Sequence, residues 1–219
     1  MNSALFNGRI FDGDVLHDGV AVVLEDGRVS ALLPDNDIPD TVDVSWDLEG
    51  RILAPGLIDI QVNGGGGVMF NDAPTVETIR HIGAAHRRFG TTGFLPTLIS
   101  TDTDTMRQAI DAVAQAIAMG VPGVLGIHLE GPYLNAEKRG IHHADRFCPI
   151  DESAISLLTS LASGCTLVTI APELTSPENI SRLTAAGVLV FGGHSTASYQ
   201  QTCESLQAGC GGLRICSMP

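Results

Sequence analysis

The order of apolar and amphipathic segments after Ala54-Pro55-Gly56 most constrains the fold of this chain. Short apolar runs that predict strands alternate there with longer segments of helical periodicity. The predicted strands are 57–62, 93–98, 124–129, 166–170 and 188–191, and the predicted helices are 76–89, 103–118, 153–162, 177–186 and 196–207. This alternation predicts a parallel sheet with right-handed crossovers, because each strand returns to the same edge over a helix.

The length of each repeat limits how far such a sheet can close. One strand-to-strand unit takes roughly 30 residues, so about five to six β/α units fit after residue 56. A closed eight-unit barrel needs roughly 250 residues. The chain has 219 residues, and we therefore predict an α/β fold with either a smaller open sheet or an incomplete (β/α)8 TIM-type barrel in residues 54–219.

Residues 1–53 carry a different pattern, for which we expect a small β-sandwich-like segment. Strand-forming residues 4–6 run into Asn7-Gly8, which predicts a hairpin turn. A second hairpin is predicted around Glu25-Asp26-Gly27. Further short strands are predicted at 46–48 and 52–53.

Charge and hydropathy argue against two classes of partner. The formal net charge is −13, whereas nucleic-acid-binding proteins present clustered Lys and Arg to phosphates. No apolar run reaches the ~18–20 residues that crossing a bilayer needs, and the first residues lack the basic and apolar regions of a signal peptide. We expect a cytoplasmic protein that acts on a small molecule, with no nucleic-acid or membrane partner.

Polar side chains follow five successive predicted strands. In chain order they are Gln61 and Asn63, then Thr97, then His128 and Glu130, then Glu173, and finally His194 and Ser195. The carboxyl ends of parallel strands form one edge, where α/β proteins build their sites. The series therefore predicts a functional site at that edge.

Each of these residues also has a purely structural interpretation. Glu130 shares a strand face with His128 because side chains alternate, and it is either a metal ligand or a strand-end hydrogen-bond partner. His194 is either a divalent-metal ligand or a structural histidine. The loop 138–143 either grips a polar substrate or is a solvated basic loop. The run Gly64–Gly67 matches no phosphate-binding fingerprint, and it indicates a backbone that passes close to another group.

Taken together, the motifs resemble the N-acetylglucosamine-6-phosphate deacetylases of the amidohydrolase superfamily, from about residue 7 to about residue 212. The segments that carry the resemblance are Ala54-Pro55-Gly56-Leu57-Ile58-Asp59, Gln61-Val62-Asn63-Gly64, Gly93-Phe94-Leu95-Pro96-Thr97, His128-Leu129-Glu130-Gly131-Pro132-Tyr133-Leu134-Asn135, Lys138-Arg139-Gly140-Ile141-His142, Ala171-Pro172-Glu173 and Gly193-His194-Ser195.

The resemblance implies a (β/α)8 barrel with a small β domain and the hydrolysis of N-acetylglucosamine 6-phosphate to glucosamine 6-phosphate and acetate. It places metal ligands at Glu130 and His194, and substrate contacts at Ile141 and His142. Gln61-x-Asn63 stands where many superfamily members carry His-x-His, which implies one divalent ion rather than two. Zinc is favoured, with iron or another divalent ion left open. Full-length members are implied to be homo-oligomers.

The implied mechanism is metal-assisted hydrolysis, in which an aspartate on the last barrel strand moves the proton. That strand would lie beyond Pro219, so no catalytic residue is assigned within this chain. The resemblance also implies a third metal ligand, a histidine, on the sixth strand. The chain instead reads Gly212-Leu213-Arg214 there, and arginine has no lone pair to offer.

The ending suggests a specific origin for this departure. One choice of codons for residues 214–219, read from its third base, encodes His-Leu-Phe-Asn-Ala, the start of the missing family segment. We hypothesise a C-terminally truncated, frameshifted reading of a longer gene, the alternative being coincidental divergence in a short paralogue. A catalytically dead fragment or binding remnant, or a different amidohydrolase, are the competing functional interpretations.

Overall fold

A computed structural model describes residues 1–214 of the chain. The chain divides into two compact units, Met1–Gly56 and Leu57–Pro219. The predicted domains 1–53 and 54–219 stay a prediction, because compactness does not show that either unit folds alone. The hypothesised frameshifted segment lies, apart from Arg214, outside the described residues.

The first unit is built from seven short strands in two sheets. They are β1 Asn2–Phe6, β2 Arg9–Phe11, β3 Leu16–Asp18, β4 Val20–Glu25, β5 Arg28–Pro34, β6 Val44–Asp47 and β7 Ile52–Leu53. One sheet has the order β5-β4-β1-β6 and the other β3-β2-β7. The predicted β4–β5 hairpin is confirmed: Glu25 pairs with Arg28, and Asp26 and Gly27 both have positive φ, as a two-residue hairpin turn requires.

The predicted hairpin at Asn7-Gly8 is wrong. β1 pairs with β4 and β6, whereas β2 pairs with β3 and β7, so the chain crosses from one sheet to the other at this turn. Asn7 has a φ of 53°, and its side-chain amide donates to Asp47 at 2.7 Å. Gly8 is needed for a close approach instead, because a Cβ there would lie 2.6 Å from the Leu48 side chain.

The second unit holds a six-stranded parallel sheet of order β15-β14-β13-β12-β11-β8. Its strands, with those of a small hairpin, are β8 Leu57–Val62, β9 Gly64–Gly65, β10 Val68–Met69, β11 Thr91–Ile99, β12 Gly126–Glu130, β13 Cys165–Ile170, β14 Leu189–Gly192 and β15 Gly212–Leu213. The helices are α1 Val76–Arg87, α2 Thr103–Ala118, α3 Glu152–Leu158, α4 Pro177–Ala185 and α5 Tyr199–Gln207. This mixed α/β architecture is consistent with part of a TIM-type barrel, and the number of β/α units stays a prediction.

Local sequence explains where the helices begin. Each α-helix starts after a side chain that accepts a hydrogen bond from a first-turn backbone N–H, and these caps are Thr75, Asp102, Asp151, Ser176 and Ser198. Predicted and observed bounds agree for α2. The last helix begins at Tyr199 rather than at Thr196, because Ser198 and Gln201 form a capping box.

Alternation along β12 places the site residues on the inner face of the sheet. All five residues of this strand are buried. Ile127 and Leu129 belong to the apolar core under the helices, so His128 and Glu130 project to the opposite face. The strand thus delivers a buried carboxylate to its own carboxyl end.

In the part of the chain that the structure describes, no helix has the length and apolar character needed to cross a bilayer.

Candidate metal centre

A cavity of about 480 Å³ opens at the carboxyl edge of the parallel sheet. Several of the residues named from the sequence meet there, although they come from distant parts of the chain. The lining residues are Gln61, Asn63, Met69, Asn71, Asp72, Ile99, Glu130, Ile141, His142 and His194.

Glu130 is the centre of this arrangement and is 3% exposed. Its Oε1 lies 3.1 Å from Nε2 of His194 and 3.8 Å from Nε2 of His142. Its Oε2 accepts a hydrogen bond from Nε2 of Gln61 at 3.0 Å. One ligand atom from each of Glu130, His142 and His194 lies within 4.8 Å of the others, so the three could hold a metal ion.

The hydrogen bonds of His194 determine which of its ring nitrogens faces Glu130 as an acceptor. Nδ1 lies 2.8 Å from the carbonyl oxygen of Lys138. A carbonyl oxygen only accepts, so Nδ1 carries the hydrogen and the neutral ring presents the Nε2 lone pair to the carboxylate. Two acceptors 3.1 Å apart need a proton or a cation between them. The imidazole nitrogen and the carboxylate oxygen are therefore suitable ligand atoms for a divalent cation.

His142 carries its ring hydrogen on the other nitrogen, Nε2, because of its contacts with Ser100. The backbone N–H of Ser100 donates to Nδ1 of His142 at 3.3 Å, and the Ser100 hydroxyl lies 2.8 Å from the same nitrogen. If Nδ1 were the donor, the buried N–H of Ser100 would lose this partner, which native structures avoid. Nε2 of His142 therefore carries the hydrogen and points it toward the cavity, which suits a hydrogen-bond donor better than a metal ligand.

The pKa values follow from these contacts. Burial would raise the pKa of Glu130, but hydrogen bonds from His142 and His194 outweigh it and lower that pKa to about 2. The hydrogen bond to Glu130 raises the pKa of His194 against the opposing effect of burial. Glu130 is thus an anion at neutral pH, and the His194 proton is what a cation would have to displace.

The backbone around His194 is strained and locked. His194 has a φ of 48°, which a residue with a Cβ rarely adopts. Glu173 fixes the following loop by accepting from the Ser195 hydroxyl and from the Thr196 N–H at 2.7 Å. It also accepts from the Asn135 amide at 2.9 Å. Glu173, predicted to follow a strand end, therefore positions the His194 loop and is not among the residues that line the cavity.

The remaining residues named from the sequence lie in different surroundings. Gln61 contacts Glu130 directly, while Asn63 lines the cavity beside it. Ile141 also lines the cavity and is 80% exposed. The ligand, substrate and first-strand roles of these residues stay predictions.

His128 has both ring nitrogens engaged away from the cavity. Nδ1 lies 3.2 Å from the hydroxyl of Thr97, and Nε2 lies 2.8 Å from that of Thr169. All three side chains are fully buried. Burial, which is the largest cause, and the charge of Arg214 lower the pKa of His128 to about 3. This histidine ties neighbouring strands together in its neutral form.

The run of four glycines Gly64–Gly67 packs against helix α1. A Cβ at Gly65 would lie 2.8 Å from the His86 ring, and one at Gly66 would lie 2.8 Å from the His81 ring. The same two rings bond to the carbonyl oxygens of Gly64 and Gly66. The predicted close approach of this backbone to another group is confirmed.

One residue near the site was missed from the sequence, and a second was named there without its contact to Gln61. Ser100 follows β11 directly, so the rule about strand ends could have found it, had the strand been predicted to reach Ile99. Arg214 follows β15, and its guanidinium donates to Oε1 of Gln61. No local sequence signal places an arginine against a glutamine 153 positions earlier.

Fold and site together define the class: a parallel α/β half-barrel sheet with a carboxylate and histidines gathered at its carboxyl edge. A family model described as NagA composite domain matches residues 3–53. Among curated proteins, an N-acetylgalactosamine-6-phosphate deacetylase from Shewanella sp. (strain ANA-3) is 42% identical over 90% of this chain and 50% of its own length. An N-acetylglucosamine-6-phosphate deacetylase from Haemophilus influenzae is 34% identical over 91% of this chain and 52% of its own length.

Solved structures give the same result. The crystal structure of N-acetylglucosamine-6-phosphate deacetylase from Pasteurella multocida matches with a TM-score of 0.91 and 31% identity, covering 97% of this chain and 56% of that one. The enzyme of the same name from Mycobacterium smegmatis, in complex with N-acetyl-D-glucosamine-6-phosphate, matches with a TM-score of 0.81 and 27% identity, over 95% and 53% of the two chains. The predicted resemblance to these deacetylases is therefore confirmed, and the chain spans about half the length of the relatives it matches.

Proposed function

We propose that this chain carries part of the active site of a metal-dependent N-acetylhexosamine-6-phosphate deacetylase. The observation that carries the proposal is the pair formed by His194 and Glu130, whose Nε2 lone pair and carboxylate oxygen face each other at 3.1 Å. The names of the relatives give the reaction class: removal of the acetyl group from an amino sugar phosphate. N-acetylglucosamine 6-phosphate is the proposed substrate.

In this proposal Glu130 and His194 hold one divalent ion, with zinc favoured and iron an alternative. Carboxylate oxygen and imidazole nitrogen are both common zinc ligands. A bound divalent ion supplies Lewis acidity, which polarises a carbonyl and lowers the pKa of water. Gln61 orients Glu130 from the outer side through its amide hydrogen bond.

The same proposal gives His142 a substrate role rather than a ligand role. Because Ser100 occupies Nδ1, the Nε2–H of His142, 3.8 Å from Glu130 Oε1, is the group that this ring presents to the cavity. An N–H in that position can bond to an oxygen of the substrate. Ile141, which is exposed at the mouth, would pack against the sugar, and Asn63 would supply an amide beside it.

The test is acetate release from N-acetylglucosamine 6-phosphate by two proteins. One is the 219-residue chain, and the other is the frame-restored protein that the frameshift hypothesis predicts when the reading frame is shifted near Gly212. We expect turnover from the frame-restored protein and none above background from the chain as given, which carries Arg214 at the expected ligand position. Binding of metal and sugar without turnover by both proteins would favour the binding-remnant interpretation.

Matched variants of the frame-restored protein separate the site from general effects. Glu130→Gln and His194→Ala should abolish acetate release. Glu152→Gln removes the same carboxylate from an exposed position, and it should retain activity. Acetate release that survives Glu130→Gln would contradict the proposed site.

A second substrate has a specific observation in its favour. The relative with 42% identity is named for N-acetylgalactosamine 6-phosphate, and the two sugars differ in configuration at one hydroxyl carbon. The ratio of kcat/KM for the two sugar phosphates in the frame-restored protein decides between them. The oligomeric assembly implied for full-length members stays a prediction.

A further inference from the structure

Arg214 brings a positive charge next to the candidate metal centre. Its backbone N–H donates to the carbonyl oxygen of Gly192 at 2.6 Å, which fixes the residue at the end of β15. Its Nη2 donates to Oε1 of Gln61. Nε2 of Gln61 in turn donates to Glu130 Oε2 at 3.0 Å. One amide therefore links the guanidinium to the carboxylate.

Both partners of Gln61 fix the orientation of its amide. A carboxylate only accepts and a guanidinium only donates, so the NH2 group faces Glu130 and the oxygen faces Arg214. The amide oxygen of Gln61 is consequently unavailable to a cation while Arg214 occupies it. Nε of Arg214 is buried and has no hydrogen-bond partner among residues 1–214, which leaves the guanidinium incompletely neutralised by hydrogen bonds.

The charges around Arg214 are few and of known sign. Glu130 and Asp59 attract the guanidinium, while His128 is neutral at pH 7 because of its lowered pKa. Burial lowers the pKa of Arg214 and these two anions raise it. Arginine keeps its charge in proteins, so a fixed, half-buried cation is bound to Gln61, which itself lines the cavity.

We propose that Arg214 is an internal counter-ion of Glu130 that lowers the affinity of the Glu130–His194 pair for divalent cations. The inference rests on the site in the proposed function, but it concerns affinity rather than turnover. A divalent ion that enters between Glu130 and His194 meets a like charge in a medium of reduced dielectric constant, where Coulomb repulsion is poorly screened. The guanidinium also attracts the Glu130 carboxylate, whose negative charge would otherwise neutralise the ion alone.

The test is zinc affinity, measured on the full chain by competition with a chromophoric chelator. Arg214→Gln should bind zinc about tenfold or more tightly than the wild type, because the repulsive charge is gone. Arg214→Lys keeps the charge and should stay within about twofold of the wild type. Arg146→Gln removes an exposed charge that pairs with Asp102, and it should have no effect beyond that range.

A double variant shows whether the effect acts at this site. In the Glu130→Gln background, Arg214→Gln should no longer yield a tight zinc complex, since the ligand is absent. A folded Arg214→Gln chain with wild-type zinc affinity would overturn the inference. That outcome leaves the proposed function intact, because acetate release is measured separately on the frame-restored protein.

NMR on the wild type decides the matter if Arg214→Gln does not fold. The Nε–H resonance of Arg214, assigned by its loss in Arg214→Lys, should shift when zinc saturates the site, because the ion displaces the guanidinium from its present contacts. An unchanged resonance at saturating zinc would equally overturn the inference.

Discussion

His128 lies on β12 and His194 in the loop that follows β14, and both are at least nine-tenths buried, yet their surroundings differ in kind. His128 has a threonine hydroxyl on each ring nitrogen. His194 has a carbonyl on one nitrogen and a carboxylate on the other. Hydroxyls can donate or accept, so they satisfy a neutral ring completely. A carbonyl and a carboxylate can only accept, so the ring between them needs a proton or a metal.

This contrast separates a histidine that stabilises the sheet from one that can bind an ion. Burial alone does not distinguish them, and neither does position near a strand end. The direction of the pKa shift does, since it is lowered for His128 and raised for His194. Substitution of His194 should therefore change zinc affinity, and substitution of His128 should change stability.

The largest effect is expected for His194→Ala, which should abolish measurable zinc binding by the chain. Loss of an outer-shell partner already costs about 10–100-fold in metal affinity, and loss of a ligand costs more. Chelator competition measures the affinity, and circular dichroism checks that the fold is retained. Zinc binding equal to that of the wild type would place the ion elsewhere.

His128→Ala should lower stability and leave zinc affinity unchanged. Removal of the ring leaves a cavity and strips partners from the Thr97 and Thr169 hydroxyls, which we expect to lower the free energy of unfolding by about 3 kcal/mol. The zinc affinity of the folded fraction should not change. Urea titration measures the stability. A variant with lost zinc affinity but unchanged stability would contradict the structural role of His128.

The pH dependence of stability should also identify His128. Its pKa falls from an ordinary 6.5 to about 3 on folding, so the unfolded chain binds the proton more readily. Stability from this group is therefore present above about pH 6.5 and is lost as the pH falls toward 3. Between pH 7 and 5 the loss should be about 2 kcal/mol.

The control for that experiment is His128→Asn, which should lack this part of the acid sensitivity. His194 acts with the opposite sign. Its raised pKa gives stability that is present at low pH and is lost as the pH rises through the folded value. The difference between wild type and His128→Asn therefore isolates His128. Identical pH profiles for the two proteins would refute the assignment.

The smallest effect is expected for Ser100→Ala. The backbone N–H of Ser100 still donates to Nδ1 of His142, but the hydroxyl contact is lost. We expect substrate binding to weaken by about 1 kcal/mol. This loss would appear as a several-fold increase in KM of the frame-restored protein, with unchanged zinc affinity. Ser156→Ala, at an exposed position, is the matched control and should leave KM as it is. A change in zinc affinity instead would make His142 a ligand.

The sequence alone determined the alternation of strands and helices, the start of helix α2 at Thr103, and the placement of Glu130 at a strand end. These features depend on local periodicity and on capping residues a few positions away, which can be read directly from the chain. The resemblance carried by the strand-end motifs was determined at this level too, and the comparisons confirmed it.

Only the tertiary structure decided which nitrogen of each histidine faces the cavity. That choice depends on partners from other elements: Lys138 and Glu130 for His194, and Ser100 for His142. The same is true of Arg214 against Gln61, and of Asn7, which turns the chain into a second sheet instead of a hairpin. Hydrogen-bond partners far apart in sequence are set by how strands align across the sheet, and local periodicity carries no information about that alignment.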